Sequence, residues 1–230
     1  MLATSPQTSA RLPVSPALFG QMRAETLPAL RPQVAPQNRM NFTDGQEIFA
    51  EGDDAAHVYE IVSGAVRTSK LLSDGRRQID AFHLAGDIFG IELGAEHRFS
   101  ADALGDVTLI VRRRVSFTAR AGEDPAAARD LLTSTMRMLE RAQDHLVLLG
   151  RKTAMEKVGS FLLSLMERSN GGDHLELPMS RLDIADHLGL TIETVSRTLM
   201  ELQRKQAIEF APCSRAIIVK NKGMLRRMAE

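Results

Sequence analysis

Residues Ser180–Leu199 read SRLDIADHLGLTIETVSRTL, two short apolar-periodic segments separated by a single glycine. Ser180 is a favourable helix N-cap, and Asp183 three residues later gives the segment a capping-box-like start. Gly189 stands where a first helix would end in a left-handed conformation, and Thr191 would then cap a second helix. Two short capped helices joined through a glycine turn predict a helix-turn-helix.

The second predicted helix places four side chains on its outer face, in the two turns that enter a DNA major groove in such motifs. A carboxylate accepts a hydrogen bond from the amino group of cytosine, and a guanidinium grips guanine through two hydrogen bonds. Glu193 and Arg197 lie four residues apart and would also suit an ordinary surface ion pair. The capped motif and the hairpin after it favour base reading, for which the candidates are Ile192, Glu193, Ser196 and Arg197.

A hairpin is predicted over Ile208–Val219, beside the helix-turn-helix, where it would form a wing. Arg215 at its tip is expected to contact DNA phosphate. Hydroxyl residues at the two helix starts are expected to do the same, because helix N-termini favour anions. These residues are Ser180, Thr191 and Thr194. Such contacts would position the protein on DNA without reading its sequence.

Short strand-like runs punctuated by glycine extend from Asn41 to about Thr118. Asp74-Gly75 lies between two of these runs and is the strongest hairpin signal in the chain. Glycine turns between short β-rich runs predict a β-roll or jelly-roll. The runs are Glu47–Ala50, Val58–Val62, Ala65–Leu72, Gln78–His83 and Val107–Arg113.

A long helix is predicted from Pro125 to about Arg151, because this stretch contains no further proline and no glycine before Gly150. Its apolar residues alternate spacings of four and three, which gives a narrow stripe with one polar position. A thin stripe on a long helix favours a dimer seam over a monomer core. The predicted seam consists of Leu132, Met136, Leu139, Gln143 and Leu146.

Composition narrows the class of protein. Basic and acidic residues are equal at 29 each, although residues 151–230 are slightly basic, which permits DNA binding. No apolar run is long enough to span a membrane, and no export signal is evident. The single cysteine, Cys213, excludes an intramolecular disulfide and predicts a cytoplasmic location. The histidines show no metal-ligand spacing, so no metal site is expected.

The chain is expected to have an α+β fold, with a β-roll, a dimerisation helix and a winged helix-turn-helix domain. Residues 1–41 hold six of the nine prolines and predict a flexible arm, with one short helix around Ala17–Thr26. The predicted boundaries are 1–40 for the arm, 41–121 for the β-roll, 125–151 for the helix and 153–230 for the winged domain.

Over roughly residues 40–222 the chain resembles the CRP/FNR superfamily of transcription regulators. The β-rich phrases Phe42–Asp53, Val58–Arg67 and Gly86–Gly90 resemble its β-roll, and Ile184–Arg197 resembles its DNA-binding signature. The E-x-x-S-R pattern at residues 193–197 is similar to the FixK-type branch. The resemblance implies a homodimeric activator that binds double-stranded DNA at TTGA-type palindromes, in low-oxygen and nitrogen-fixation control. RNA polymerase is the implied partner.

The chain also departs from relatives in this superfamily. Residues 1–41 lack the cysteines with which oxygen-sensing members hold an iron–sulfur cluster. Where cyclic-AMP receptors carry Gly-Glu and Arg-Ser steps, this chain has Gly90-Ile91 and Phe99-Ser100, with the arginine displaced to Arg98. We therefore expect no cofactor and no bound effector. The alternatives are a ligand-dependent regulator of the cyclic-nucleotide type, or a repressor. An enzyme built on the β-roll is not expected, because a His and Glu cluster for metal is missing.

Overall fold

The computed structural model describes residues 39–169, 172–211 and 214–230. The predicted N-terminal arm and its short helix fall outside these residues, apart from the arm's last two positions, and so does Cys213. In chain order the described elements are β1 (Arg39–Phe42), β2 (Glu47–Phe49), β3 (His57–Leu71), β4 (Arg77–Leu84), β5 (Ile88–Phe89), β6 (Ser100–Arg113), α1 (Arg114–Glu123), α2 (Pro125–Arg151), α3 (Ala154–Arg168), β7 (His174–Glu176), α4 (Arg181–Leu188), α5 (Ile192–Arg204), β8 (Ile208–Glu209), β9 (Ala216–Val219) and α6 (Lys222–Ala229).

The first six strands form one antiparallel sheet in the order β1-β6-β3-β4, with β2 paired to β6 and β5 paired to β3. The predicted turn at Asp74-Gly75 is confirmed, because it joins β3 to β4, and Gly75 has a φ of 83°. Buried aromatic side chains of this sheet pack against one another. The ring of Tyr59 lies 5.3 Å from that of Phe49 and 5.2 Å from that of Phe89.

The predicted break between Val58–Val62 and Ala65–Leu72 is wrong, because β3 runs through Gly64 as one strand. The pairing register with β6 shifts between Ile61 and Ser63 and again across this glycine, between Ser63 and Ala65, as in a β-bulge. Gly64 has a φ of 87°, and a Cβ there would collide with the carbonyl oxygen of Asp106. The glycine therefore bends the strand without ending it. The predicted run Val107–Arg113 is likewise only the end of a longer strand, β6.

The long helix α2 has the predicted bounds. Asp124 caps it, since its Oδ1 accepts a hydrogen bond from the backbone N–H of Ala126 at 2.9 Å, and Pro125 occupies the first turn. The helix α1, which precedes Asp124, was not predicted. The capped start at Asp124 separates the two helices.

The C-terminal part packs α3, α4 and α5 against a small sheet in the order β7-β9-β8. Strands β8 and β9 form the predicted hairpin, whereas β7 and α6 were not predicted. The core of this part includes Phe161, Leu188, Leu199 and Leu225, all buried. Its cluster of apolar residues continues into the β-roll through residues such as Ile79 and Phe82.

Candidate DNA-binding surface

Helix α4 is held at both ends by the residues that the sequence singles out. The backbone N–H of Asp183 donates to Ser180 Oγ at 3.1 Å, and that of Ser180 donates to Asp183 Oδ2 at 2.9 Å. This reciprocal pair is the predicted capping box. At the other end Gly189 has φ 60° and ψ 44°, the left-handed conformation that ends the helix. The chain then turns directly into α5.

Helix α5 begins at the predicted cap, because the backbone N–H of Thr194 donates to Thr191 Oγ1 at 3.2 Å. Val195, Leu199 and Leu202 are buried on its inner side. The opposite side of its first two turns faces solvent. The helix-turn-helix is therefore formed by local capping and by one apolar face.

The predicted base-reading residues occupy that exposed side. Ile192 is 40% exposed, Glu193 and Arg197 are exposed, and Ser196 is half-buried. Among the ion pairs of the described residues, none joins Glu193 to Arg197. Hydrogen bonds at its own backbone amide and with the Thr191 side chain, together with the nearby charge of Arg197, hold the pKa of Glu193 below its ordinary value. The surface thus presents a carboxylate acceptor and a guanidinium donor, side by side and not paired with each other.

Met200 extends the same surface and was missed in the sequence. It lies seven residues after Glu193 and three after Arg197, so helical periodicity places it on the same face. Its side chain is 64% exposed, a high value for an apolar residue on a helix whose other large apolar residues are mostly buried. Helical spacing from Glu193 and Arg197 could have placed Met200 on this face from the sequence alone, but no contact with DNA was predicted for it.

The candidate phosphate-contacting residues fall into two groups. Thr191 and Thr194 lie together at the start of α5, with their hydroxyl oxygens 3.1 Å apart. Arg215 is exposed, and its Nη1 donates to the carbonyl oxygen of Pro178 at 3.4 Å, which brings the wing beside the start of α4. The Ser180 hydroxyl there donates to Asp183 Oδ2 at 2.7 Å. The structure therefore places this hydroxyl in the helix cap.

The predicted dimer seam forms a continuous stripe on α2. Its four apolar members are between 50% and 70% exposed in the single chain, and most of the stripe lines one shallow groove. Exposed apolar residues at this density on one helix face are typical of a protein–protein interface. The members are Leu132, Met136, Leu139, Gln143 and Leu146.

The side chains of Arg98, His97 and Ser100, in the segment that differs from cyclic-AMP receptors, make contacts within the β-roll. Arg98 Nε donates to Glu92 Oε2 at 2.9 Å, so the displaced arginine is already paired with a carboxylate. Nearby, the ring of His97 stacks on Phe49 at 3.6 Å. Ser100 Oγ accepts from the backbone N–H of Glu51 at 2.9 Å.

Across residues 39–169, 172–211 and 214–230, no group of three or more histidine, cysteine or acidic side chains is arranged to hold a metal ion. None of the helices in these ranges combines the length and apolarity required to cross a membrane.

Comparisons with known proteins agree with this architecture. Residues 39–123 match the family model of the cyclic nucleotide-binding domain, and residues 156–228 match that of the Crp-like helix-turn-helix domain. The chain is 50% identical over 192 residues to the nitrogen fixation regulation protein FixK of Azorhizobium caulinodans, covering 81% of this chain and 77% of that protein.

Two further relatives show the same relation. FixK of Rhizobium meliloti is 44% identical over 177 residues, covering 77% of this chain and 81% of the relative. The solved structure of FixK2 from Bradyrhizobium japonicum superposes with a TM-score of 0.79 at 45% identity. The superposition covers 84% of this chain and 96% of that one.

Proposed function

The chain belongs to the CRP/FNR family of transcription regulators, in its FixK-type branch, and from this premise we propose that its homodimer reads TTGA-type palindromes through α5 and activates transcription there. The curated FixK relatives are named nitrogen fixation regulation proteins. We propose that this chain also regulates nitrogen fixation.

The observation that carries the proposal is the exposed pair Glu193 and Arg197 at the start of α5. No ion pair of the described residues joins their side chains, so both can satisfy base edges without first breaking one. A carboxylate that stays ionised accepts from cytosine, and a guanidinium donates twice to guanine. Ile192 beside them suits the methyl group of thymine. The carboxylate, the guanidinium and the apolar side chain together match a short half-site that contains both thymine and a G·C pair.

Homodimerisation is supported by the exposed stripe on α2. Two copies that bury Leu132 and Leu139 against each other would present two copies of α5 to one face of DNA. Recognition helices in such dimers enter successive major grooves about one helical turn apart, so a twofold dimer requires a palindrome.

Activity without a bound effector is supported by the Glu92–Arg98 ion pair. A cyclic phosphate needs a charge-assisted donor, and here it would have to compete with the Glu92 carboxylate for the exposed Arg98 guanidinium. The aromatic rings of Phe49, Tyr59 and Phe89 also fill the interior beside this segment.

RNA polymerase is the proposed protein partner of the DNA-bound dimer. Transcription in vitro from a promoter that carries the selected palindrome, with purified polymerase, tests this partner and the sign of regulation. More transcript in the presence of the protein supports activation, and less transcript rejects it.

Selection of bound sequences from random duplex DNA, with no small molecule added, tests the DNA-binding proposal. The expected result is an enriched palindrome with TTGA-type half-sites. An enriched asymmetric sequence would reject the dimer, and no enrichment would reject sequence-specific binding. Enrichment that appears only after a cyclic nucleotide is added would reject effector-free activity.

A further inference from the structure

The start of β4 lies along one face of α4. Asp186 and His187 follow Asp183 by three and four residues, so all three share that face. Arg77 Nε donates to Asp186 Oδ2 at 2.9 Å, and its Nη2 donates to Asp183 Oδ1 at 2.6 Å. The side-chain amide of Gln78 donates to the carbonyl oxygen of His187 at 3.2 Å. The first helix of the helix-turn-helix is therefore fastened directly to the β-roll.

Asp183 takes part in two arrangements at once. Its Oδ2 accepts the capping hydrogen bonds of Ser180, and its Oδ1 accepts from Arg67 Nη1 at 2.8 Å as well as from Arg77. Arg67 also donates from Nε to Asp102 of β6 at 3.0 Å. We call these side chains the α4–β4 ion cluster: Arg67, Arg77, Asp102, Asp183 and Asp186.

The charges in this cluster are largely withdrawn from water. Asp183 is only 4% exposed, and both of its oxygens are occupied. Burial would raise the pKa of its carboxyl, but the hydrogen bonds from Ser180 and the charges of Arg67 and Arg77 outweigh burial and hold the pKa below its ordinary value. Hydrogen bonds that a planar guanidinium donates are directional. They therefore fix the angle between α4 and β4, which apolar contact alone fixes less closely.

The reading residues of α5 take no part in this attachment. Glu193 and Arg197 are exposed, whereas Asp183 and Asp186 face β4. Only Gly189, Leu190 and the cap residue Thr191 separate α4 from α5. Any rotation of α4 on the β-roll would therefore carry the recognition helix with it.

We propose that Arg77 is a positioning residue for DNA recognition: it sets the direction of α5 within the dimer, and thereby the separation of the half-sites that the dimer accepts. The inference rests on the proposed function, since it supposes a dimer on a palindrome. In such a dimer the spacing of the recognition helices selects the spacing of the half-sites. A looser attachment populates several directions of α5, and only a fraction of them fits a given palindrome.

The test uses the full chain with Arg77→Ala, and palindromes whose central spacer is lengthened or shortened by one or two base pairs. Wild type is expected to bind one spacer best. The variant is expected to lose affinity for that spacer by about tenfold, as its competent fraction falls, and to discriminate less among spacers. Its base preference within each half-site should not change, because Arg77 does not reach the reading face.

Arg76→Ala is the matched control. Arg76 is the neighbouring arginine and pairs with Asp74 in the β3–β4 turn, away from α4. This variant should keep both the affinity and the spacer preference of wild type. An equal loss in the two variants would overturn the proposal, and so would tighter binding by Arg77→Ala, since the attachment would then be inhibitory.

A conservative variant and a double-mutant cycle distinguish a positioning role of Arg77 from a general loss of folding stability. Arg77→Lys keeps the charge without the two-pronged geometry and should fall between wild type and Arg77→Ala in spacer discrimination. Asp186→Asn combined with Arg77→Ala should lose no more affinity than Arg77→Ala alone, because the contact of Asp186 with Arg77 is already absent in Arg77→Ala. Additive losses, or a lower melting temperature with an unchanged spacer preference, would overturn the proposal.

The two levels of inference fail differently. If the wild-type chain binds no palindrome at all, the proposed function is wrong. If wild type selects one spacer and Arg77→Ala selects the same spacer with the same strength, the function stands and the role of Arg77 is wrong.

Discussion

Glu193 and Arg197 lie one helical turn apart on the exposed side of α5, and no ion pair joins them within the part of the chain that the structure describes. Opposite charges at this spacing commonly pair on helix surfaces. Here the guanidinium of Arg197 remains available for DNA.

Arg197→Ala should abolish most of the preference for the cognate palindrome. One bidentate contact to guanine contributes about 1–3 kcal/mol of discrimination, and the dimer would lose it in both half-sites. Gel shifts on cognate and scrambled duplexes at fixed salt measure the change in the ratio of affinities. Arg204→Ala is the control, since Arg204 is exposed on the last turn of the same helix, beyond the predicted reading residues. Equal loss on both duplexes by Arg197→Ala would argue against base readout.

Leu139→Glu should convert the dimer into a monomer and weaken DNA binding. The change places a charge in the middle of the α2 stripe, where each copy would face the other, and an unpaired charge in an apolar interface is strongly unfavourable. Sedimentation equilibrium measures the association constant. Leu71→Glu is the matched control, because Leu71 is an exposed leucine at the end of β3, outside the stripe. If Leu139→Glu remains dimeric, the seam has been assigned to the wrong face.

The helix-turn-helix was predictable because every signal that forms it lies within the twenty residues from Ser180 to Leu199. Caps, a left-handed glycine and one apolar face are local features, and each predicted cap is present. The second role of Asp183 was not predictable in this way. Its partners Arg67 and Arg77 are 116 and 106 residues away in the sequence, so only the folded chain brings them together.

Other elements were missed because their signals are weak or depend on distant pairing. Strand β7 has three residues and forms only because β9 pairs with it. Helix α6 follows the wing and packs on α3, where Gly159 accommodates the close approach of Ala229. Gly64 and Gly105 are among the glycines that punctuate the β-rich region and predict turns there, but both lie inside long strands. Glycine in a strand marks a bulge as readily as an end.

Buried His83 should make the protein less stable in mild acid. Burial lowers the pKa of His83 to about 4, and its Nε2 lies 3.1 Å from Thr68 Oγ1. The unfolded chain, with an ordinary histidine pKa of about 6.5, binds more protons between these two values. The free energy of unfolding should therefore fall by up to about 1.4 kcal/mol per pH unit from this group as pH drops from 6.5 towards 4.

Urea denaturation between pH 7.5 and 5 measures this slope. His83→Gln removes the titration and keeps a polar group next to Thr68, so its stability should depend less steeply on pH than that of wild type. His57→Gln provides the comparison, because His57 is not fully buried. An unchanged slope in His83→Gln would mean that His83 does not titrate as its burial requires.

Gly189→Ala and Gly150→Ala should change stability in opposite directions. Gly189 has a φ of 60°, which costs an alanine about 1–2 kcal/mol, and a Cβ there would meet Leu149 Cδ2 at an ordinary 3.5 Å, so the cost is one of backbone conformation. Gly150 lies in the last turn of α2 with an ordinary helical backbone and nothing within 4 Å of a new Cβ. Alanine there should stabilise by about 0.5–1 kcal/mol. Thermal unfolding of the two variants gives both signs in one experiment, and a stabilising Gly189→Ala would contradict the left-handed turn on which the placement of α5 depends.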